Sequence, residues 1–136
     1  MAMSEAQVNE LLSDAHVSVI GTVDAAGTPA QSPVWHLWRD GVAYVLVSRT
    51  SRKWKNLQRN PSVSLCVDTK TAPYRAAIIE GTAREDDRDY GALLLEIATH
   101  YLGESRGAAY ADNSTATNED SVVVRIEPKR IISWAY

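Results

Sequence analysis

The sequence is short of most features that would name a function outright. It has one cysteine, Cys66, among 136 residues, which excludes an intrachain disulfide and a Cys-rich metal site. It has no apolar run near the ~20 residues of a membrane span. Met1 to Glu5 shows neither a basic n-region nor an apolar stretch, so no secretory signal is visible and the cytoplasm is the expected location. Positive charge is not in excess: the formal net charge is -3, which argues against a general nucleic-acid binder. There are no internal repeats and no Pro/Gly linker, and the length suits one domain over 1–136. No nucleophile–base–acid triad, evident carboxylate pair or metal-ligand spacing is present. His16 and His100 have no partner suggested by spacing, and Cys66 reads as a buried, inert thiol.

What is present is a local concentration of cations. Val47 to Pro61 holds Arg49, Arg52, Lys53, Lys55 and Arg59 with no carboxylate. An apolar strand, Val42 to Val47, precedes it. Thr50 and Ser51 can cap a short helix with Trp54 and Leu57 on its apolar side, ended by Pro61. Strand, hydroxyl-rich turn and basic helix start suit a phosphate, because a helix N-terminus offers free N–H groups and partial positive charge. The alternative is a solvated helix face that binds nothing.

The rest of the chain alternates strand and helix signals. Ser4 to Ala15 predicts an amphipathic helix with Val8, Leu11, Leu12 and Ala15 on one face and a Ser4/Gln7 capping box. His16 to Val23 and Ala30 to Trp38 read as strands around an Asp24–Gly27 turn, with Pro29 and Pro33 confined to an edge, bulge or strand end. Asp40-Gly41 is a hairpin signal that makes Val42 to Val47 the third strand of a meander. Ser62 to Val67 and Tyr74 to Ala83 follow as strands. Asp86 starts a long helix bearing Tyr90, Leu93, Leu94, Ile97 and Tyr101. Gly103 to Asp120 reads as a mobile or partner-supported loop with a helical turn near Ala108 to Tyr110. Ser121 to Ile126 and Arg130 to Trp134 are the last strands, separated by Glu127-Pro128. Together these predict a mainly β (α+β) domain: a six- to seven-stranded antiparallel barrel with peripheral helices.

The order of these elements, and four stretches within them, resemble the pyridoxamine phosphate oxidase-like split β-barrel family over nearly the whole chain. The stretches are SVIGTVDAAGTPAQSPVW, DGVAYVLVSRTSRKWKNLQRNPSVSLCVD, YRAAIIEGTAREDD and VVVRIEPKRIISW. The Lys-x-x-Asn-Leu-x-x-Asn-Pro form is similar to the subgroup that uses the deazaflavin coenzyme F420. Other members of the family bind FMN or haem, and some have no known catalytic role. The resemblance implies an F420-dependent oxidoreductase that passes a hydride to an unsaturated small-molecule acceptor. The alternatives are an FMN-dependent oxidase or reductase and a non-catalytic flavin-, deazaflavin- or haem-binding protein. A cofactor that carries the chemistry would account for the missing catalytic side chains. The resemblance also implies a homodimer with the cofactor at the subunit interface.

On that resemblance, Lys53 is the leading anion contact, with Ser51, Arg52 and Asn56 beside it and Ser48, Arg49 and Thr50 at the strand end. Ser32, Pro33, Val34 and Trp35 would run beside the ring system; otherwise Pro33 marks a barrel edge and Trp35 fills a core or interface. His36 is a candidate proton donor, since histidine titrates near neutrality, or else a satisfied structural residue. Tyr74, Arg75, Tyr101 and Tyr110 are candidates for the pocket or the interface.

Overall fold

A computed structural model describes residues 1–136. Helix α1 (Glu5–Ser13) begins at the expected capping box: Ser4 Oγ accepts from the Gln7 N–H and Gln7 Oε1 accepts from the Ser4 N–H. Its apolar side, Val8, Leu11 and Leu12, is buried. The strands are β1 (Ser18–Val23), β2 (Pro29–Val34), β3 (Leu37–Arg39), β4 (Val42–Ser48), β5 (Ser62–Asp68), β6 (Arg75–Asp86) and β7 (Ser121–Ala135). The other helices are α2 (Arg52–Arg59), α3 (Tyr90–Leu102) and α4 (Glu104–Asn113).

All strands pair antiparallel in one sheet of order β2-β1-β5-β6-β7-β4-β3. The two edges of that sheet, β2 and β3, are separated in the chain only by Trp35 and His36. Two residues span less than ~11 Å, so the edges must meet and the sheet curls into a split half-barrel. Alternate residues point inward. Ile20, Val45, Leu65, Ile79, Val124 and Ile126 are fully buried and form the interior with Leu11 and Leu12 of α1 and Trp54 and Leu57 of α2. Burying each of these aliphatic side chains is worth about 1.5–3 kcal/mol. The opposite parity of β4, through Tyr44, packs with Val123 against Tyr90, Leu93, Leu94 and Ile97 of α3.

Several expectations need correction. Ala30 to Trp38 is two strands rather than one, and β2 does not pair with β4, so the first half is not a meander. The chain turns at Trp35-His36 because the His36 side chain is drawn inward to α1 and β1. Asp40 and Gly41 do form the predicted hairpin, with φ of 53° and 75°, joining β3 to β4. Pro128 does not interrupt β7. It lies opposite Gly81, where the β6–β7 register shifts between Glu80 and Gly81, and such an irregularity tolerates a missing N–H. Strand β6 runs on to Asp86, and α3 starts three residues later at the Asp89 N-cap.

Residues 104–113 are helical rather than a loop. Gly103 turns the chain at φ 89°. Gly107 then lets α4 lie directly on α3, where a Cβ would come within 2.5 Å of the Thr99 Cα. Cys66 is half-buried on the outward side of β5 rather than enclosed. Partial desolvation raises its pKa, which leaves the thiol protonated and unreactive near neutrality.

Candidate functional site

The end of β4 and the start of α2 form one wall of a cavity of about 450 Å³. Ser51 caps α2: its Oγ accepts from the Trp54 N–H at 3.2 Å and donates to the Ser48 carbonyl at 2.6 Å. Ser48 Oγ lies 3.0 Å from Thr50 Oγ1 and accepts from the Thr50 N–H. The first turn of α2 carries no carboxylate of its own to offset its N-terminal positive potential. Ser48, Ser51 and Lys53 line the cavity.

The five cations of this stretch have different environments. The Arg49 guanidinium makes a paired contact with Glu85 at 3.0 and 2.7 Å and also donates to the Asn118 carbonyl. That pairing holds the Glu85 carboxyl below its ordinary pKa and raises that of Arg49. Arg52 reaches the Asp24 carboxylate at 3.3 Å. The Thr28 N–H, ahead of Arg52, is the main reason the Asp24 pKa is lowered. Arg59 donates to Asn56 Oδ1, and Lys55 is exposed. Lys53 is half-buried with its Nζ 3.3 Å from the Ser32 hydroxyl and forms no ion pair. It also borders a smaller recess of about 140 Å³ shared with Ser32, Gln31 and Arg52.

The far end of the cavity is apolar and aromatic. Pro33 and Val34 come from the end of β2, Trp35 from the corner that follows it, and Leu46 and Val47 from β4. Tyr90, Leu94 and Ile97 come from α3, and Tyr110 from α4. Trp35 stacks on Tyr101 with ring centres 5.0 Å apart and planes 13° apart, and it meets Tyr110 at 5.3 Å. Tyr101 is anchored in turn: its hydroxyl donates to the His16 carbonyl at 2.7 Å and accepts from the His36 N–H at 3.0 Å.

The predicted residues thus divide. Ser32, Pro33, Val34, Trp35, Ser48, Ser51, Arg52 and Lys53 border the cavity or its recess. Arg49 and Thr50 do not line it, and Asn56 is buried with its amide donating to Thr22 Oγ1 at 3.1 Å. Tyr110 lines the cavity and Tyr101 supports it from behind, whereas Arg75 faces Glu10 of α1 at 3.8 Å.

His36 is outside the cavity. Its Nε2 donates to the Leu12 carbonyl at 2.7 Å, and Nδ1 takes the Ser18 hydroxyl. Burial lowers its pKa, so the ring is neutral near pH 7 and ties α1, β1 and the β2–β3 corner together. That geometry favours an anchoring role over proton donation. Leu46, Tyr90, Leu94 and Ile97 line the cavity, and the sequence marked them only as strand or helix-face positions. Their spacing signals burial, and nothing in it separates a core contact from a cavity wall. No group of three or more His, Cys, Asp or Glu side chains is placed to hold a metal ion.

The family model described as pyridoxamine 5'-phosphate oxidase matches residues 4–135. The chain belongs to the pyridoxamine 5'-phosphate oxidase family. Solved structures with the family fold are similar along almost the entire chain. A conserved hypothetical protein of Mycobacterium tuberculosis is 24% identical with a TM-score of 0.78, covering 99% of this chain and 86% of its own. An F420 reductase is 22% identical with a TM-score of 0.71, covering 90% of this chain and 94% of its own. The haem storage protein HutZ of Vibrio cholerae is 20% identical with a TM-score of 0.68, covering 95% and 94%. No curated protein matches the sequence at a significant level. At these identities the family's structures share a fold, and their differing ligands leave the cofactor to be argued from the site.

Proposed function

We propose that the protein is an F420-dependent oxidoreductase that passes a hydride from the reduced deazaflavin to an unsaturated organic acceptor. The observation that carries this reading is Lys53, a half-buried cation without a carboxylate partner at the hydroxyl-lined end of an apolar cavity. The cavity falls within the usual size range for ligand sites, about 300–1,000 Å³. The residues fit a phosphorylated ring cofactor. Lys53, Ser51 and Ser48 would hold the phosphate at the α2 N-terminus. Pro33, Val34 and Trp35 would flank the ring, and the β2 backbone would supply hydrogen bonds at its edge.

When bound, the deazaflavin supplies the hydride; the chain's residues bind, orient and exclude water. Trp35, held by Tyr101 and Tyr110, fixes one wall of the ring site. The proton that completes reduction is assigned to solvent, since His36 is buried and both its ring nitrogens are engaged. In the homodimer of this reading, a second subunit would cover Val17, which lines the cavity and is half-exposed. No helix is long and apolar enough to cross a membrane.

Side-by-side titration of the purified protein with F420 and FMN, followed by tryptophan fluorescence, tests the reading. Saturable F420 binding that exceeds FMN binding and weakens about ten- to hundredfold in Lys53→Ala is expected, as for loss of one charge-assisted hydrogen bond. Tighter FMN binding at the same residues would instead make it a flavin enzyme. Binding of neither would sink the anion-site argument.

A further inference from the structure

The three histidines of the chain all meet Tyr101, behind the aromatic end of the cavity. The His16 carbonyl accepts from the Tyr101 hydroxyl at 2.7 Å. The His36 N–H donates to the same hydroxyl oxygen at 3.0 Å, and His36 Nδ1 lies 3.2 Å from it. The His100 ring stands edge-on to the Tyr101 ring at 5.5 Å. None of the three histidines lines the cavity. We propose that this corner is an acid-sensitive latch on the cavity: when His36 takes up a proton, Tyr101 and Trp35 are released and the cavity loses affinity for a ring-bearing ligand. The loss of affinity rests on the cofactor reading above; the opening of the corner does not.

Donor and acceptor counting comes first. His36 is 1% exposed. In the neutral ring the Nε2 proton is spent on the Leu12 carbonyl at 2.7 Å, and Nδ1 accepts from the Ser18 hydroxyl. A proton from solvent therefore adds at Nδ1, which turns an acceptor into a donor. Ser18 must then direct its own proton elsewhere. Its other acceptor is the His16 carbonyl at 3.4 Å, the group that anchors Tyr101. The new N–H also stands beside the Tyr101 oxygen. Both adjustments change the partners of Tyr101.

Charge acts in the same direction. His16, just before β1, and His100, from α3, both oppose a positive charge on His36. Around the ring, α1 offers the Leu12 carbonyl, β1 the Ser18 hydroxyl and α3 the Tyr101 hydroxyl. Asp14, the C-cap of α1, faces His16 Nε2 at 3.8 Å. A buried cation without a paired carboxylate is costly, and admitting water to the corner relieves that cost.

The output is the Trp35 wall. Its indole stacks on Tyr101 with ring centres 5.0 Å apart. Its backbone continues into His36, whose N–H is held by the Tyr101 hydroxyl. One side chain thus fixes both the ring and the backbone of Trp35, and both are freed together.

Near-UV circular dichroism of the ligand-free full chain from pH 8 to 5 tests the latch, with Trp35→Phe to identify the Trp35 signal. That signal is expected to fall below about pH 6.5 while the far-UV spectrum holds, and to stay flat in His36→Gln. His100→Gln, at an exposed position, removes one opposing cation and is expected to move the midpoint to higher pH at low salt. F420 affinity, titrated at pH 7 and pH 5, is expected to fall about fivefold further in the parent protein than in His36→Gln. Ligand groups titrate alike in both proteins, so the difference belongs to the chain. A Trp35 signal that is unchanged down to pH 5, that is lost only together with the far-UV spectrum, or that has the same midpoint in His100→Gln would each overturn the latch. Equal acid loss of F420 affinity in the parent and His36→Gln would overturn it as well. Absence of F420 binding at pH 7, with the Trp35 transition present and shifted in His100→Gln, would overturn the cofactor reading and leave the acid-opened corner standing.

Discussion

The two ends of the cavity are built by different means. The cationic end is made by one short stretch: Ser48, Ser51 and Lys53 lie within a strand end and the first turn of α2, and Ser51 closes a hydrogen bond only three residues long. The aromatic end is assembled from distant segments. Trp35 meets Tyr101 and Tyr110, and Tyr101 is tied back to His16 and His36. A local device keeps its shape when its neighbours change. An assembled one depends on the packing of α3, α4 and the β2–β3 corner together. Substitutions at the first end should therefore change binding with little effect on stability, and substitutions at the second should change both.

The largest effect should come at Gly107. A methyl there meets the backbone of Thr99 at 2.5 Å and that of Ala98 at 2.8 Å, and backbone cannot swing away as a side-chain tip can. Gly107→Ala is expected to destabilise by about 1–3 kcal/mol, the range for overpacking. It should also loosen Tyr110 from Trp35, seen as a loss of near-UV circular dichroism. Unchanged stability and an unchanged aromatic signal would show that α4 is not held by this contact.

Within α2 a pair of substitutions sharpens the contrast. Asn56 is buried and donates to Thr22, so Asn56→Ala leaves polar atoms unpaired and should cost about 1–3 kcal/mol in denaturant unfolding. Lys53, one turn away, should show the opposite profile, with cofactor affinity lowered and the unfolding midpoint nearly unchanged. If both variants lose stability alike, Lys53 is a structural residue and the cavity's cationic end has been misassigned.

The corner that joins the sheet edges should also be visible in the pH dependence of stability. The His36 pKa is lowered from 6.5 chiefly by burial. The unfolded chain therefore takes up a proton at a pH where the folded chain does not, and stability falls as protons are added. The His36 contribution is fully present above about pH 6.5 and is lost as pH falls from there toward the lowered folded-state value. Denaturant midpoints from pH 8 to 5 should decline across that window. The decline should be smaller in His36→Gln, which cannot titrate. A parallel decline in both proteins would assign the effect to other groups.

This division between local and assembled structure also explains what the sequence discloses. The Ser4/Gln7 box, the Asp40-Gly41 hairpin and the Ser51 cap are contacts between near neighbours, so residue type and spacing are enough to read them. The route of β7 through Pro128 is not readable in the same way. It depends on Gly81, far away in the chain, offering an irregular register opposite it. The α4 helix is hidden for a similar reason: its Gly, Ser, Asp and Asn residues carry loop propensity, and only the bare surface at Thr99 gives Gly107 something to pack on. The same holds for the site. Lys53 and its hydroxyl neighbours stand out as a charged cap, whereas Tyr90, Leu94 and Ile97 look like any buried helix face until α4 leaves a space beside them. Arg49 shows the converse. Its place in the cation run suggests an anion contact, and Glu85, brought alongside by the β6–β7–β4 pairing, already occupies it.

Arg49 supplies the smallest and most discriminating test of the cationic end. Its guanidinium is satisfied by Glu85 and the Asn118 carbonyl, and it does not line the cavity. Both partners are partly exposed, with side-chain exposures of 32% and 47%, so water and salt screen the pair and its worth is small. Arg49→Gln should leave F420 affinity within about twofold, with a slight, salt-dependent fall in thermal stability. Lys53→Gln, the same loss of one charge a few residues away, should cost affinity without that fall. Equal losses of affinity in the two variants would mean that the cofactor feels the summed charge of the stretch rather than one placed ammonium. That would remove the distinction on which the reading of Lys53 depends, since a diffuse field needs no cavity and no helix cap.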